Sequence, residues 1–305
     1  MPRRPCALHA LLLQLVFIAI ACLAAWPAAH AQAGTWAVSG SLGDGRQWHT
    51  STQLPSGKVL VAGGYGGGSL SHLASAELYD PAAGQWAATG PLAHARRGHT
   101  ATLLPHGKVL VAGGYDGSAF IASVELYDPA TGLWSGASAL AQPRTEHTAT
   151  LLADGRVLVA GGHASGGQVA QAELYDPATG AWSPAGQLAE ARQGHTATLL
   201  ADGRVLVVGG GNGTGYLATA EVYRPSDNTW GSAAPLPQGP RSDFTATLLP
   251  DGRVLAVGGN SGSEQLASAE LYDPQGDTWA PAASLNSKRL FHTATLLPGG
   301  KVLVA

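Results

Sequence analysis

The chain has 305 residues, 42 of them glycine, only 12% charged, with a formal net charge of −3. It solvates itself through turns and small polar residues, and without a basic patch or run it is no candidate for binding nucleic acid. The two cysteines, Cys6 and Cys22, both lie near the N-terminus, which excludes a disulfide framework or a zinc–thiolate centre in the rest of the chain.

The first 33 residues stand apart. "MPRRP" is a positive start, "ALLLQLVFIAIACLAA" an apolar run, and "AAHAQA" offers small-residue cleavage positions after Ala31 or Ala33. This is the pattern of a signal peptide. The run is short for an anchor helix and Gln14 interrupts it. The expectation is an exported protein, periplasmic, cell-surface or secreted, with no membrane span after cleavage. Lipid attachment at Cys22, within "AIAC", is the weaker alternative, because Ala19 stands where a larger aliphatic is usual. Without disulfides the exported chain must be held by its core or by ring closure.

From there on the sequence repeats itself. A glycine pair recurs at Gly63–Gly64, Gly113–Gly114, Gly161–Gly162, Gly209–Gly210 and Gly258–Gly259, in steps of 50, 48, 48 and 49 residues. Tyr79, Tyr127, Tyr175, Tyr223 and Tyr272 keep the same period, and each stands seven positions before Trp86, Trp134, Trp182, Trp230 or Trp279. Each unit predicts four short strands. Strand a is "HTATLL", alternating and rich in threonine. A tight turn ("PHG", "ADG", "PDG") leads to strand b, "KVLVAGG" or "RVLVVGG", whose nearly unbroken apolar run predicts cover on both faces. A variable loop precedes strand c, "ASAELYD", and "PATG" turns into strand d, centred on the tryptophan. No helical period survives outside the leader.

A lone four-stranded sheet cannot bury both faces, but sheets stacked around an axis can. Glycine pairs let backbones approach where the sheets converge, and Tyr and Trp fill the wider gaps. A doublet after an apolar strand, then Tyr, six residues and Trp, at a period near 50, resembles the kelch repeat over about residues 34–305. The resemblance implies an all-β, kelch-type β-propeller. Five complete four-stranded blades are expected at about 46–95, 96–143, 144–191, 192–240 and 241–288. A split sixth blade would take residues 34–45, with Trp36, and 289–305. Strand c of that blade is missing. Either the ring closes on a three-stranded blade or the sequence is a piece of a longer product, and the unpaired apolar strand b favours the second.

Within the repeat, an Arg-x-x-His motif recurs as Arg46/His49, Arg96/His99, Arg144/His147, Arg192/His195 and Arg289/His292, with Arg241/Phe244 as the departure. Glu77, Glu125, Glu173, Glu221 and Glu270 recur on strand c. A residue present in every blade does not supply one asymmetric catalytic constellation, so His and Glu are expected to be structural, the His bonding a loop carbonyl or the Glu. No catalytic residue, metal or cofactor is implied. The alternating chain direction puts the d–a and b–c loops on one face of the disc. That face carries all the variation, and variable loops on a rigid scaffold are where recognition resides. Tyr65, Tyr115, His163, Gly211 and Asn260, just after the glycine pairs, are therefore candidate contacts. Arg96, Arg144, Arg192, Arg241 and Arg289 either face the same mouth, favouring an anionic ligand, or tie their own loops to a carbonyl or Glu. "NGT" at Asn212 spells a glycosylation site but carries no weight.

The expected function is that of a monomeric exported binding module for a protein, peptide or glycan. The alternative is a carbohydrate-active enzyme resembling periplasmic sialic-acid epimerases, built on the same type of ring. Activity of the galactose oxidase type, which also resembles this fold, needs a Tyr–Cys cross-link that the mature chain has no cysteine to form.

Overall fold

The computed structural model describes residues 39–67 and 70–305. The leader and the strand expected at Trp36 lie outside the described residues. No described helix is long and apolar enough to cross a membrane.

Five antiparallel four-stranded sheets follow one another in the order a-b-c-d. The second is typical: Thr100–Leu103, Val109–Ala112, Val124–Asp128 and Leu133–Ala137. The registers repeat from blade to blade, each strand-c tyrosine lying opposite its strand-d tryptophan, as in Tyr127↔Trp134 and Tyr223↔Trp230. After the fifth blade a two-stranded hairpin, Ala294–Leu296 and Val302–Val304, sets its first strand beside strand a of blade five. The a strands of successive blades lie side by side, so they, rather than the glycine doublets, surround the centre.

Strand b is covered on both faces, and its period of two decides which neighbour each side chain meets. Leu110 and Ala112 face forward into a cluster with Val157, Val159 and Tyr175 of the next blade, while Val109 and Val111 face back into one with Leu60 and Ala62 of the blade before. Tyr127, Tyr175, Tyr223 and Tyr272 are buried in these seams, and each indole caps its seam. Trp134 Nε1 donates to Gly90 O at 2.6 Å and Trp182 Nε1 to Ser138 O at 2.7 Å, backbone oxygens of the preceding blade. Trp86 makes the same bond to Gly40 O at 2.9 Å. Gly40 thus stands against the first blade as Gly90 stands against the second.

Gly113 and Gly114 show why the doublet is needed. Both hold positive φ, 64° and 113°. A Cβ on Gly113 would lie 2.6 Å from Arg144 O of the next blade, and one on Gly114 would lie 2.9 Å from Arg97 O of its own. Only hydrogen fits, and the Gly114 N–H uses the approach to donate to Arg144 O at 2.8 Å.

Candidate functional site

The repeated arginines do not reach the mouth. Arg96, Arg144, Arg192 and Arg241 are 0% exposed. Arg96 Nη1 donates to Gly113 O and Ser123 O, both at 2.9 Å, and Nη2 donates to Ser123 Oγ at 2.8 Å and to Glu125 Oε1 at 2.6 Å. Glu125 also accepts the Ala93 N–H at 2.7 Å, so one ion pair fastens the d–a loop to strand c and to the end of strand b. The pattern returns in Arg144–Glu173, Arg192–Glu221 and Arg241–Glu270. Buried guanidinium groups need such partners, and the loop-tying role is theirs. Arg289 is half-buried; it reaches Ser287 Oγ at 3.1 Å and Val304 O at 3.5 Å.

The histidines are structural in a way the sequence did not reveal. Their partner is neither Glu nor, at Nε2, a carbonyl, but the strand-a threonine of the preceding blade. The pairs are His99–Thr50, His147–Thr100, His195–Thr148 and His292–Thr245, all at 3.0 Å. Where Phe244 replaces the histidine, the buried Thr196 hydroxyl is left without a partner. Two matched substitutions test this. Thr148→Val strands His195 Nε2 and should lower stability by about 1–3 kcal/mol, whereas Thr196→Val should stay within about 0.5 kcal/mol of wild type in the same urea titration. Equal losses would contradict the assigned bonds.

The two residues between Arg and His build the mouth. The first of them bridges, antiparallel, to the residue after the glycine pair: Gln47↔Tyr65, Arg97↔Tyr115, Thr145↔His163, Gln193↔Gly211 and Ser242↔Asn260. The second is left-handed in every copy: Trp48 (φ 53°), Gly98 (61°), Glu146 (54°), Gly194 (61°), Asp243 (56°) and Phe291 (54°). Their backbones form a chain of hydrogen bonds across the blades. Gly98 N–H donates to Trp48 O at 3.2 Å, Glu146 to Gly98 at 2.9 Å, Gly194 to Glu146 at 3.4 Å, Asp243 to Gly194 at 3.1 Å and Phe291 to Asp243 at 3.1 Å. Left-handed geometry is uncommon for any residue but glycine and strained for bulky ones, so the four of these six residues that carry a side chain are held in place at a cost.

Trp48, Glu146, Asp243 and Phe291 line a cavity of about 880 Å³ with Arg97, Tyr115, Phe120, His163 and Tyr216. The lining rings Trp48, Tyr115, Phe120 and His163 belong to a longer run joined through Tyr65 and His72: Trp48–Tyr65 centroids at 6.3 Å, Tyr65–His72 at 5.2 Å, His72–Tyr115 at 5.5 Å, Tyr115–Phe120 at 5.3 Å and Phe120–His163 at 5.1 Å. The Arg97 guanidinium lies 4.5 Å from the Trp48 ring centroid, 5.7 Å from Tyr65 and 5.4 Å from Tyr115, with no carboxylate partner among the described residues. Glu146 is exposed where it lines the cavity, with protein on several sides of its carboxyl. The resulting desolvation, reinforced by the charge of Asp243, raises its pKa above the ordinary carboxylate range, against the pull of His163 and Arg97. Burial likewise raises Asp243, and a bond from Ser242 Oγ at 3.1 Å only partly offsets it.

The family model described as the KLHDC2/KLHL20/DRC7 kelch-repeats domain matches residues 48–259, and the kelch motif model matches 240–286. The chain belongs to the kelch-repeat family. No curated protein matches it.

In this kelch propeller Tyr115, His163 and Gly211 line the cavity. Tyr65 is not in the lining but packs its ring against Trp48, and Asn260 turns its amide oxygen to the Gly262 N–H of its own loop at 2.8 Å. Arg97, Trp48, Glu146, Asp243 and Phe291 were not anticipated. The signal was present in the third place of Arg-x-x-His, which reads Trp, Gly, Glu, Gly, Asp, Phe between a constant arginine and a nearly constant histidine. Alternation with glycine marks a left-handed position, and charged or bulky residues at such a position mark a site.

Proposed function

We propose that the exported chain binds a protein or peptide partner in the cavity at the loop face of its propeller. Kelch repeats are in general protein-interaction modules, which favours such a partner over a glycan. The observation that carries the reading is the contrast between the two faces. On one, the same turn recurs: Leu54, Leu104, Leu152 and Leu200 N–H donate to Lys58, Lys108, Arg156 and Arg204 O, each at 2.8 Å. On the other, no two blades offer the cavity the same side chains. Symmetry is kept where the ring is built and broken where a partner would be read.

An anionic preference, expected from the five arginines, loses its basis where Arg96, Arg144, Arg192 and Arg241 are buried against their own blades. The epimerase-like reading drew on the repeated Arg and Glu, and these bind each other inside the blades. Export rests on the leader.

Trp48 and Arg97 have the character of interface hot spots, an accessible aromatic ring and a guanidinium held on rings. Wild type and the Trp48→Ala/Arg97→Ala double variant, compared as baits on periplasmic and surface extracts, should differ. A partner held by the first should be weakened by roughly 30-fold or more in the second, the loss expected when hot-spot side chains are truncated. Equal retention would remove the cavity from the reading.

A further inference from the structure

We propose that the cavity selects a basic side chain, lysine or arginine, of an extended peptide, seating its cation between Glu146 and Asp243 and against the aromatic wall. This deepens the binding reading above and rests on it.

Three independent features point the same way. First, the charges are unbalanced. The side chain of Glu146 has no hydrogen-bond or ion-pair partner among the described residues, and Asp243 has only the Ser242 hydroxyl. The nearby fixed cation, Arg97, is engaged with three rings. A ligand cation would offset one of the two negative charges and favour the ionised form of both carboxyls, against the burial that raises both pKa values and the Asp243 charge that adds to the raise at Glu146.

Second, the wall is already a cation receptor. Trp48 holds the guanidinium of Arg97 at 4.5 Å, the geometry of a cation–π contact. Trp48 is still 46% exposed and Phe291, in the corresponding place of the last copy, is 67% exposed. Both rings keep surface open to a ligand.

Third, the carboxylates occupy positions the fold fills more easily with glycine. Gly98 and Gly194 flank Glu146 in the same chain of hydrogen bonds, with the same left-handed backbone. A Cβ on Gly194 would come within 3.0 Å of Asp243 Oδ1, so that glycine also leaves room for the carboxylate. Strain kept at a cavity is the mark of a residue held there for use.

The test uses the full exported chain and pools of random octapeptides on beads, with one central position fixed as Lys, Arg, norleucine or Glu. Wild type should retain the Lys and Arg pools roughly tenfold more than the norleucine and Glu pools, as expected for a cation–π site with carboxylate support. In Glu146→Gln/Asp243→Asn the ratio should fall to about one. Glu146→Gly/Asp243→Gly should lose the preference equally while melting at or above the wild-type temperature, which separates lost recognition from lost folding. A preference for the Glu or norleucine pool, a basic preference that survives both double variants, or no retention of any pool would overturn the proposal. If Trp48→Ala abolishes retention without any basic preference in wild type, only the cation assignment fails. If Trp48→Ala retains every pool as wild type does, the cavity itself is not the binding site.

Discussion

Arg96→Ala should destabilise the propeller by about 3–5 kcal/mol, because it leaves Glu125 buried without its counter-charge and takes the Nη1 donor from Gly113 O and Ser123 O, the second of which keeps only the Gly113 N–H. Desolvation of two charges makes such a pair a poor source of net stability, but removing one partner forfeits the attraction and keeps the cost. Arg96→Lys should fall between. An ammonium cannot reach Gly113 O, Ser123 O, Ser123 Oγ and Glu125 Oε1 at once as the planar fork does. Guanidinium titration of the purified chain measures the loss. The same argument covers Arg144, Arg192 and Arg241, so these side chains are legible by stability rather than by binding. If Arg96→Ala melted with wild type while peptide retention vanished, the arginine would belong to the mouth after all.

The seams between blades were legible because every one of them repeats. A period of two on strand b, Tyr opposite Trp and glycine where a Cβ would strike the next backbone are requirements met once per blade, so the sequence states them five times. Geometry inside one unit was harder to read. Arg and Glu are separated by 29 residues in Arg96–Glu125, and nothing in the sequence says which of two faces a guanidinium turns to. The histidine was harder still, because its partner lies in the preceding blade, 49 positions back in His99–Thr50. The site proper is the part that does not repeat. Searching for what recurs found the scaffold and passed over Trp48, Glu146, Asp243 and Phe291, which share a backbone geometry and differ in everything else. Phe244 shows the same lesson from the other side. Its departure from the motif has a visible consequence, the unpartnered Thr196 hydroxyl, and neither residue lines the cavity.

Acid should unfold this propeller earlier than carboxylate chemistry alone would. His99 and His195 are held down to about 3, and His147 well below its ordinary value, first by burial and then by the arginine of the same motif. In the unfolded chain each titrates near 6.5. Between those limits the unfolded state binds protons that the folded state refuses, so stability is full above about pH 6.5 and falls as the pH falls. Each such histidine contributes a slope of up to about 1.4 kcal/mol per pH unit, and together the three approach about 4 kcal/mol per unit between pH 6 and 4. Glu146 and Asp243 work in the opposite direction. Their raised pKa values make the folded state take up protons first, which returns some stability on acidification, but only between the ordinary carboxylate range and their raised values. Melting temperature followed from pH 8 to 4.5 should therefore hold level and then turn down near 6.5. Phe244→His should steepen the descent by adding a fourth buried imidazole opposite Thr196. A level profile from pH 7 to 5 would mean that the folded ring carries protonated histidines, and the neutral Nε2–threonine bonds that join blade to blade could not then be the reason the motif keeps its histidine.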